Sequence, residues 1–328
     1  MGCCLPESRT LHVVLPYFNF CGFKRRRELF VKFVHEHACL PGVSITVVEA
    51  LGPAPLPRLP VARHLRLKHA SRVWLKETLI NYAATKLPDN WEYLAWIDAD
   101  ISFLNKKWVK DAFRALADND IVQLWHSAVN LGPSGDVVKV DKSFCYMLSG
   151  SGTSYTKTDR YGFWHPGYAW ACTRAAWRKM GGLPDWAILG SGDRHLALAL
   201  IGRAVESAPG NIHKNYKTLL SAYERFCKGL VVGWVQGTIL HHWHGRLEDR
   251  KYRERWDILT RGNFDPYLDL AQDKNGLVAL SKSGQRFIPE LDEYFTGRRE
   301  DDKNKNASVN NGKSSEGRIL EPARRQAS

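Results

Sequence analysis

No stretch of about 20 uninterrupted apolar residues occurs in this chain, which excludes a membrane-spanning helix. The opening residues lack the apolar core of a secretory signal, so secretion is not expected. Cysteine is present but unpaired in pattern: there are seven, scattered, with only Cys3-Cys4 adjacent and no C-x-x-C. That excludes a zinc ribbon and a disulfide framework, and it points to a reducing, cytoplasmic compartment with free thiols. H-E-x-x-H is missing, which leaves a zinc hydrolase without its helix-borne ligand pair. No internal repeat and no nucleic-acid-binding motif is visible.

What is present is an ordinary globular balance, 44% hydrophobic and 25% charged, with 12 Trp as its unusual item. A chain of 328 residues can bury one large core. The formal net charge of +13 favours an anionic partner without choosing among phosphate-bearing substrates, nucleic acid and membrane surfaces.

The most informative stretch is Asp98-Ala99-Asp100, which ends the apolar run 93–97. A buried strand that stops in two carboxylates puts costly charge at the mouth of a sheet, where α/β folds bind ligands. No Lys or Arg follows within a few residues, so a divalent cation is the expected partner. His241-His242-Trp243-His244-Gly245 follows another apparent strand. Imidazole joined to hard carboxylate oxygens suits manganese or magnesium, with His244 the first choice and His241 the second. Gly245 is expected to let a ligand approach His244.

Gly190-Ser191-Gly192-Asp193 sets a carboxylate at the start of a helix, whose dipole favours the ionised form. Asp193 is either a plain helix cap or a general base for an incoming hydroxyl, and the two roles are compatible. Trp164, Tyr168 and Trp170 flank Gly167 and are expected to offer aromatic faces to a sugar, with Gly192 on the same acceptor side. Arg246, Arg250 and Arg253 either grip a pyrophosphate, Arg246 foremost, or form a solvated helix face. The run Lys24-Arg25-Arg26-Arg27 reads as a surface feature that touches solvent, a membrane surface or an anionic polymer.

Periodicity predicts strands over 11–16, 44–49, 93–97, 120–125 and 231–240. Helices are expected from about residue 23, over 71–86, after a cap at Asn105, from 174, over 193–202 and over 248–259. The four prolines of 53–60 demand a loop. Alternation of strand and helix argues for a mostly parallel central sheet flanked by helices, in one domain spanning 9–296. Residues 1–8 are expected to be a disordered leader; Pro6 breaks the myristoylation pattern that Met1-Gly2 opens. From 297 to 328 the polar composition predicts a disordered tail. The segment 130–164, rich in Gly, Ser, Thr and Tyr, is expected to be mobile loops, with 149–161 closing over a site.

Together the stretch Val14 to Asn19, Asp98-Ala99-Asp100, Gly181-Gly182 leading to Gly190-Ser191-Gly192-Asp193, and His241 to Gly245 resemble a glycosyltransferase of the GT-A fold over residues 9–295. The front is similar to the family 2 transferases. The back resembles galactosyl- and N-acetylgalactosaminyltransferases, whose late His joins the D-x-D in holding manganese. The resemblance implies an α/β GT-A domain with a Mn²⁺ (or Mg²⁺) cofactor and a nucleotide-sugar donor, UDP-sugar favoured. Pro16, Tyr17 and Asn19 would line the nucleotide pocket and Glu49 would face the base. Asp98 and Asp100 would reach ribose and metal, His244 or His241 would complete the metal shell, and Asp193 would be the base of an inverting transfer. Its acceptor would be a glycan, lipid or protein, with no nucleic acid partner and at most peripheral membrane contact. Many such enzymes carry an acidic pair where this chain has Gly-Asp, so the single Asp193 must serve.

Two other readings compete. A sugar-nucleotide-forming nucleotidyltransferase would carry a Gly-rich, basic loop after the first strand, where this chain has Pro16-Tyr17-Phe18-Asn19. A non-catalytic basic nucleic-acid binder is motivated by charge alone.

Overall fold

The computed structural model describes residues 9–69, 71–150 and 164–302. The leader 1–8, the segment 151–163 and the tail from 303 lie outside the described residues, and with them the expected closing loop and most of the expected tail.

The chain opens with β1 (Leu11–Phe18), α1 (Lys24–His37), β2 (Val43–Ala50), β3 (Arg63–Leu67), α2 (Lys76–Ala84) and β4 (Tyr93–Ile97). Then come β5 (Ile101–Phe103), α3 (Trp108–Asp118), β6 (Ile121–Gln123), β7 (Ser127–Leu131), β8 (Val137–Lys142), α4 (Phe144–Ser149), β9 (Ala169–Thr173), α5 (Arg174–Met180) and α6 (Gly192–Leu200). The last part holds α7 (Lys214–Cys227), β10 (Val232–Trp234), β11 (Thr238–His241), α8 (Arg255–Arg261), α9 (Pro266–Asp269), β12 (Leu270–Gln272), β13 (Val278–Leu280) and α10 (Ile288–Thr296).

Seven strands form the central sheet in the order β10-β6-β9-β4-β1-β2-β3. All neighbours are parallel except β9, which runs antiparallel between β4 and β6. The expected mostly parallel α/β architecture is therefore the one observed. Side-chain alternation splits the core into two layers. Leu11, Val13 and Leu15 of β1 pack with Phe30, Phe33 and Val34 of α1 and with Trp108, Ala112, Phe113 and Leu116 of α3. Val14 and Phe18 face the other layer, with α2, α6, α7, α8 and α10. The buried faces of α1 (Leu29, Phe30, Phe33, Val34 and His37) and α3 (Trp108, Val109, Ala112, Phe113 and Leu116) recur at helical spacing. Asn105 caps the turn into α3 by accepting from the Lys107 amide at 2.9 Å.

Three expectations are corrected. The stretch 231–240 is two strands in two sheets: β10 edges the main sheet, and β11 joins the small sheet β5-β11-β7-β8. Between them the Gly237 carbonyl accepts from the His126 amide at 3.0 Å as the chain crosses over. Part of the expected loop 130–164 is regular, since β7 and β8 form a hairpin whose partners exchange backbone hydrogen bonds. Residues 298–302, assigned to the tail by composition, include two that are buried, Arg298 and Glu300. Among the described residues no helix is long and apolar enough to cross a membrane.

Candidate active site

A cavity of about 410 Å³ opens beyond the ends of β1 and β4, lined in part by Pro16, Tyr17, Asp98, Asp100, Asp193 and His241. Four chain segments meet there, each held for a local reason.

The small sheet brings the distant histidines to the acidic pair. β11 pairs antiparallel with β5, placing His241 opposite Ile101, and the His242 amide donates to the Asp100 carbonyl at 2.8 Å. His244 Nε2 lies 2.8 Å from Asp100 Oδ2 and 3.3 Å from His241 Nε2. One ligand atom from each of Asp100, His241 and His244 falls within 4.8 Å of the others.

The surroundings fix how these atoms are aimed. His241 Nδ1 donates to Asn130 Oδ1 at 2.8 Å, an oxygen that also accepts from the Tyr168 hydroxyl at 2.9 Å. Asn130 is oriented in turn by its amide donating to Asp141 at 2.9 Å. With Nδ1 protonated, His241 presents a lone pair at Nε2, as a metal ligand must. Asp100 Oδ1 is buried without a hydrogen-bond partner. An orphaned carboxylate oxygen beside two facing imidazole nitrogens fits a divalent cation with mixed oxygen and nitrogen ligands. Burial alone would raise the Asp100 pKa, but His244, His241 and Arg250 outweigh it and hold the carboxyl well below its ordinary range.

Asp98 has a different partner. The Lys76 ammonium, at the first turn of α2, lies 2.7 Å from Asp98 Oδ1 and 2.9 Å from Asp193 Oδ2. Asp98 is not among the three residues whose ligand atoms converge. A buried cation, Lys76, already answers its charge. Burial pushes Asp98 up to about 6; Lys76 lowers it, while Asp193 and Asp100 raise it. Lys76 itself is disfavoured as a cation by burial, yet Asp193 and Asp98 more than compensate and raise its pKa. No motif announced Lys76. Its signal was a charge sharing the α2 face of Leu79, Ile80 and Ala83.

Lys76→Met would leave two carboxylates facing each other with no cation between them. Both are about a quarter exposed (28% and 24%), so water recovers part of the loss. We expect destabilisation of about 2–3 kcal/mol in urea unfolding without metal. An unchanged midpoint would show that the ion triad contributes nothing to folding.

Asp193 sits at the second position of α6, and its side chain does not cap the helix: no side-chain bond closes that end. Its carboxylate faces the cavity, across from Gly167, where a Cβ would stand 3.5 Å from Asp193 Oδ2. Ser191, the residue before α6, takes φ +79° and accepts from Arg255 Nη2 at 2.6 Å. Gly192 does not line the cavity. It is glycine because the Glu77 side chain occupies the space a Cβ would need. Burial foremost pushes Glu77 up to about 8.

Other expected residues divide. Pro16, Tyr17, Trp164 and Tyr168 line the cavity, with Tyr168 stacked on His165 at 4.2 Å. Trp170 does not: it is fully buried, parallel to Trp96 at 6.5 Å, because β9 is a core strand. Asn19 turns inward to bond the Tyr17 hydroxyl at 3.1 Å and the Phe23 backbone at 2.9 Å, which closes the loop after β1. Glu49 is also a scaffold residue, accepting from the Leu56 amide at 2.7 Å and holding His64 and Arg66, so it pins the proline-rich loop. Arg246 lies outside the cavity, half exposed beside Glu248. Arg250 lines the cavity instead, buried, donating to His244 Nε2 at 2.9 Å and to the Tyr252 hydroxyl at 3.1 Å, with its Nε unpartnered. Trp74 and Arg298 also line the cavity, and sequence reading missed both.

No protein-family model and no curated protein matches the chain. Among solved structures it is similar to the catalytic domain of Drosophila β1,4-galactosyltransferase 7 in complex with xylobiose (TM-score 0.40, 13% identity, 87% of this chain and 99% of that one). It is also similar to glucosyl-3-phosphoglycerate synthase from Mycobacterium tuberculosis with Mn²⁺, UDP and glucosyl-3-phosphoglycerate (TM-score 0.37, 12% identity, 83% and 87%). A third is S. aureus TarS in complex with UDP (TM-score 0.35, 14% identity, 65% and 70%). All three TM-scores lie below 0.5, and the functional reading rests on the side chains of this pocket.

Proposed function

We propose that this chain is a metal-dependent glycosyltransferase of the GT-A type. It moves a sugar from a nucleoside diphosphate sugar, UDP favoured, to a hydroxyl of a glycan, lipid or protein, with inversion. The observation that carries the reading is the convergence of Asp100, His241 and His244 in the cavity that Asp193 faces.

Asp100, His241 and His244 would hold Mn²⁺ or Mg²⁺, which supplies a positive charge for the leaving diphosphate. Pro16 and Tyr17 lie at the nucleotide end. The Arg250 guanidinium, buried and with an unpartnered Nε, is placed to grip phosphate oxygens. Asp193 takes the proton from the acceptor hydroxyl as that oxygen bonds to the anomeric carbon, and the bond from that carbon to the diphosphate breaks. Lys76 keeps Asp193 directed at the cavity. Gly167 leaves room for the acceptor oxygen opposite Asp193, and Trp164 and Tyr168 offer ring faces to the sugars.

The test is nucleotide release from a panel of nucleotide sugars with Mn²⁺. Turnover abolished by chelator and restored by Mn²⁺ is expected; turnover indifferent to chelator would defeat the reading. Within the arginine run, Arg250→Ala should raise the donor KM roughly 10- to 100-fold, the worth of a charge-assisted hydrogen bond. Arg246→Ala should leave it within about twofold, as expected of an exposed pair. Equal effects of the two substitutions would remove Arg250 from the donor site.

A further inference from the structure

We propose that the strap formed by residues 298–301 is part of the metal centre, with Glu300 as the positioning residue that fixes His244. The inference rests on the metal reading above, and it concerns a part of the chain whose composition suggested only a solvated tail.

The strap is built inward. Arg298 and Glu300 are buried, whereas Arg299 between them is exposed. Glu300 accepts from Arg26 Nε at 2.7 Å and from Arg298 Nε at 2.8 Å, and its Oε2 lies 3.6 Å from His244 Nδ1. His244 thus stands between two carboxylates, Asp100 on the Nε2 side and Glu300 on the Nδ1 side. A carboxylate facing Nδ1 favours the tautomer protonated there and keeps a lone pair at Nε2. That lone pair receives the Arg250 hydrogen bond in this structure and would have to turn to an ion on binding. At 3.6 Å the carboxylate lies just beyond hydrogen-bond distance, so Glu300 biases the neutral ring's tautomer and orientation through its charge without clamping the ring.

Three further contacts lock the strap to the elements that carry the site. Asp301 accepts from the backbone amides of Lys24 at 2.9 Å and Arg25 at 2.8 Å. It therefore caps α1, whose own N-cap residue Phe23 makes no side-chain bond. Arg25 Nε in turn donates to the Trp243 carbonyl at 3.0 Å, between the two histidine ligands. Gly245 takes φ +91°, and a Cβ there would lie 3.0 Å from Glu300 Cα and 3.1 Å from the Arg298 carbonyl. The glycine expected to admit a ligand instead admits the strap. Arg298 completes the wall, its guanidinium 5.4 Å above the Trp74 ring.

A purely structural cap for α1 would leave metal affinity untouched, which makes affinity the deciding quantity. Mn²⁺ alone is titrated into the full chain and the free ion is followed by electron paramagnetic resonance, with far-UV circular dichroism on every variant. Glu300→Gln should bind Mn²⁺ at least about 10-fold more weakly than the unaltered chain, as for removal of a partner to a metal-bound histidine. Affinity within twofold in a folded Glu300→Gln protein overturns the inference and leaves the proposed function standing. Should Glu300→Gln fail to fold, Asp301→Ala carries the test, since it loosens the strap without touching His244. A drop of at least about threefold there supports the proposal, and no drop overturns it. An unaltered chain that leaves Mn²⁺ free overturns the proposed function itself, and this inference with it.

Discussion

Asp193→Asn should slow sugar transfer about 10²- to 10⁴-fold, the range for loss of a general base, while Mn²⁺ affinity stays unchanged. The split follows from position. Asp193 contacts Lys76 and faces the cavity, but it contributes no atom to the cluster of Asp100, His241 and His244. An amide keeps the shape of the side chain and one oxygen for the Lys76 ammonium, so the fold should hold. What it loses is the capacity to take a proton. The measurement is single-turnover transfer at saturating donor, which separates chemistry from binding. Transfer at the unaltered rate would move the base elsewhere and deprive the inverting mechanism of its motive group.

The second large effect is expected at the other end of the acidic pair. Asp100→Asn should weaken Mn²⁺ binding at least about 100-fold, beyond the range seen when only an outer partner of a metal ligand is removed. Asp98→Asn should weaken it far less. Sequence alone treats these two aspartates as equivalent, one residue apart. Their side chains nonetheless have different partners: Asp98 has Lys76 at 2.7 Å, Asp100 the histidine cluster. Calorimetric titration of both variants with Mn²⁺ decides the matter. Equal losses would restore the shared role and remove the distinction drawn from geometry.

The alternation of strand and helix was legible because β1, β2 and β4 are buried apolar runs and because α1 and α3 carry clean 3.6-residue stripes. Helix α7 was passed over, although Tyr216, Leu220, Tyr223 and Cys227 recur at helical spacing and are all buried. Trp170 of β9 was counted among the sugar-facing rings, although an indole looks the same in a core, where the structure places it, as in a cleft. His241 and His244 could be singled out as candidate ligands because residue type alone limits their chemistry, and the structure brings both beside Asp100. Lys76, Arg250 and Glu300 could not be located with the same assurance: their roles depend on which chain segments the sheet brings together. Arg246 and Arg250 share a charge and a neighbourhood, yet Arg246 is half exposed beside Glu248, whereas Arg250, at the end of the short helical turn 248–250, is buried.

Strand β11 carries Ile239 and His241 on one side, with Ile239 fully buried. Because side chains alternate along a strand, the aliphatic anchor dictates which way the imidazole two residues later must look. Hydrophobic burial thus turns the His241 side chain inward, and the bond from its Nδ1 to Asn130 then sets the ring. The strand should therefore tolerate changes of composition better than changes of length: similar-sized apolar replacements at 239 preserve the direction, whereas one residue gained or lost inverts it.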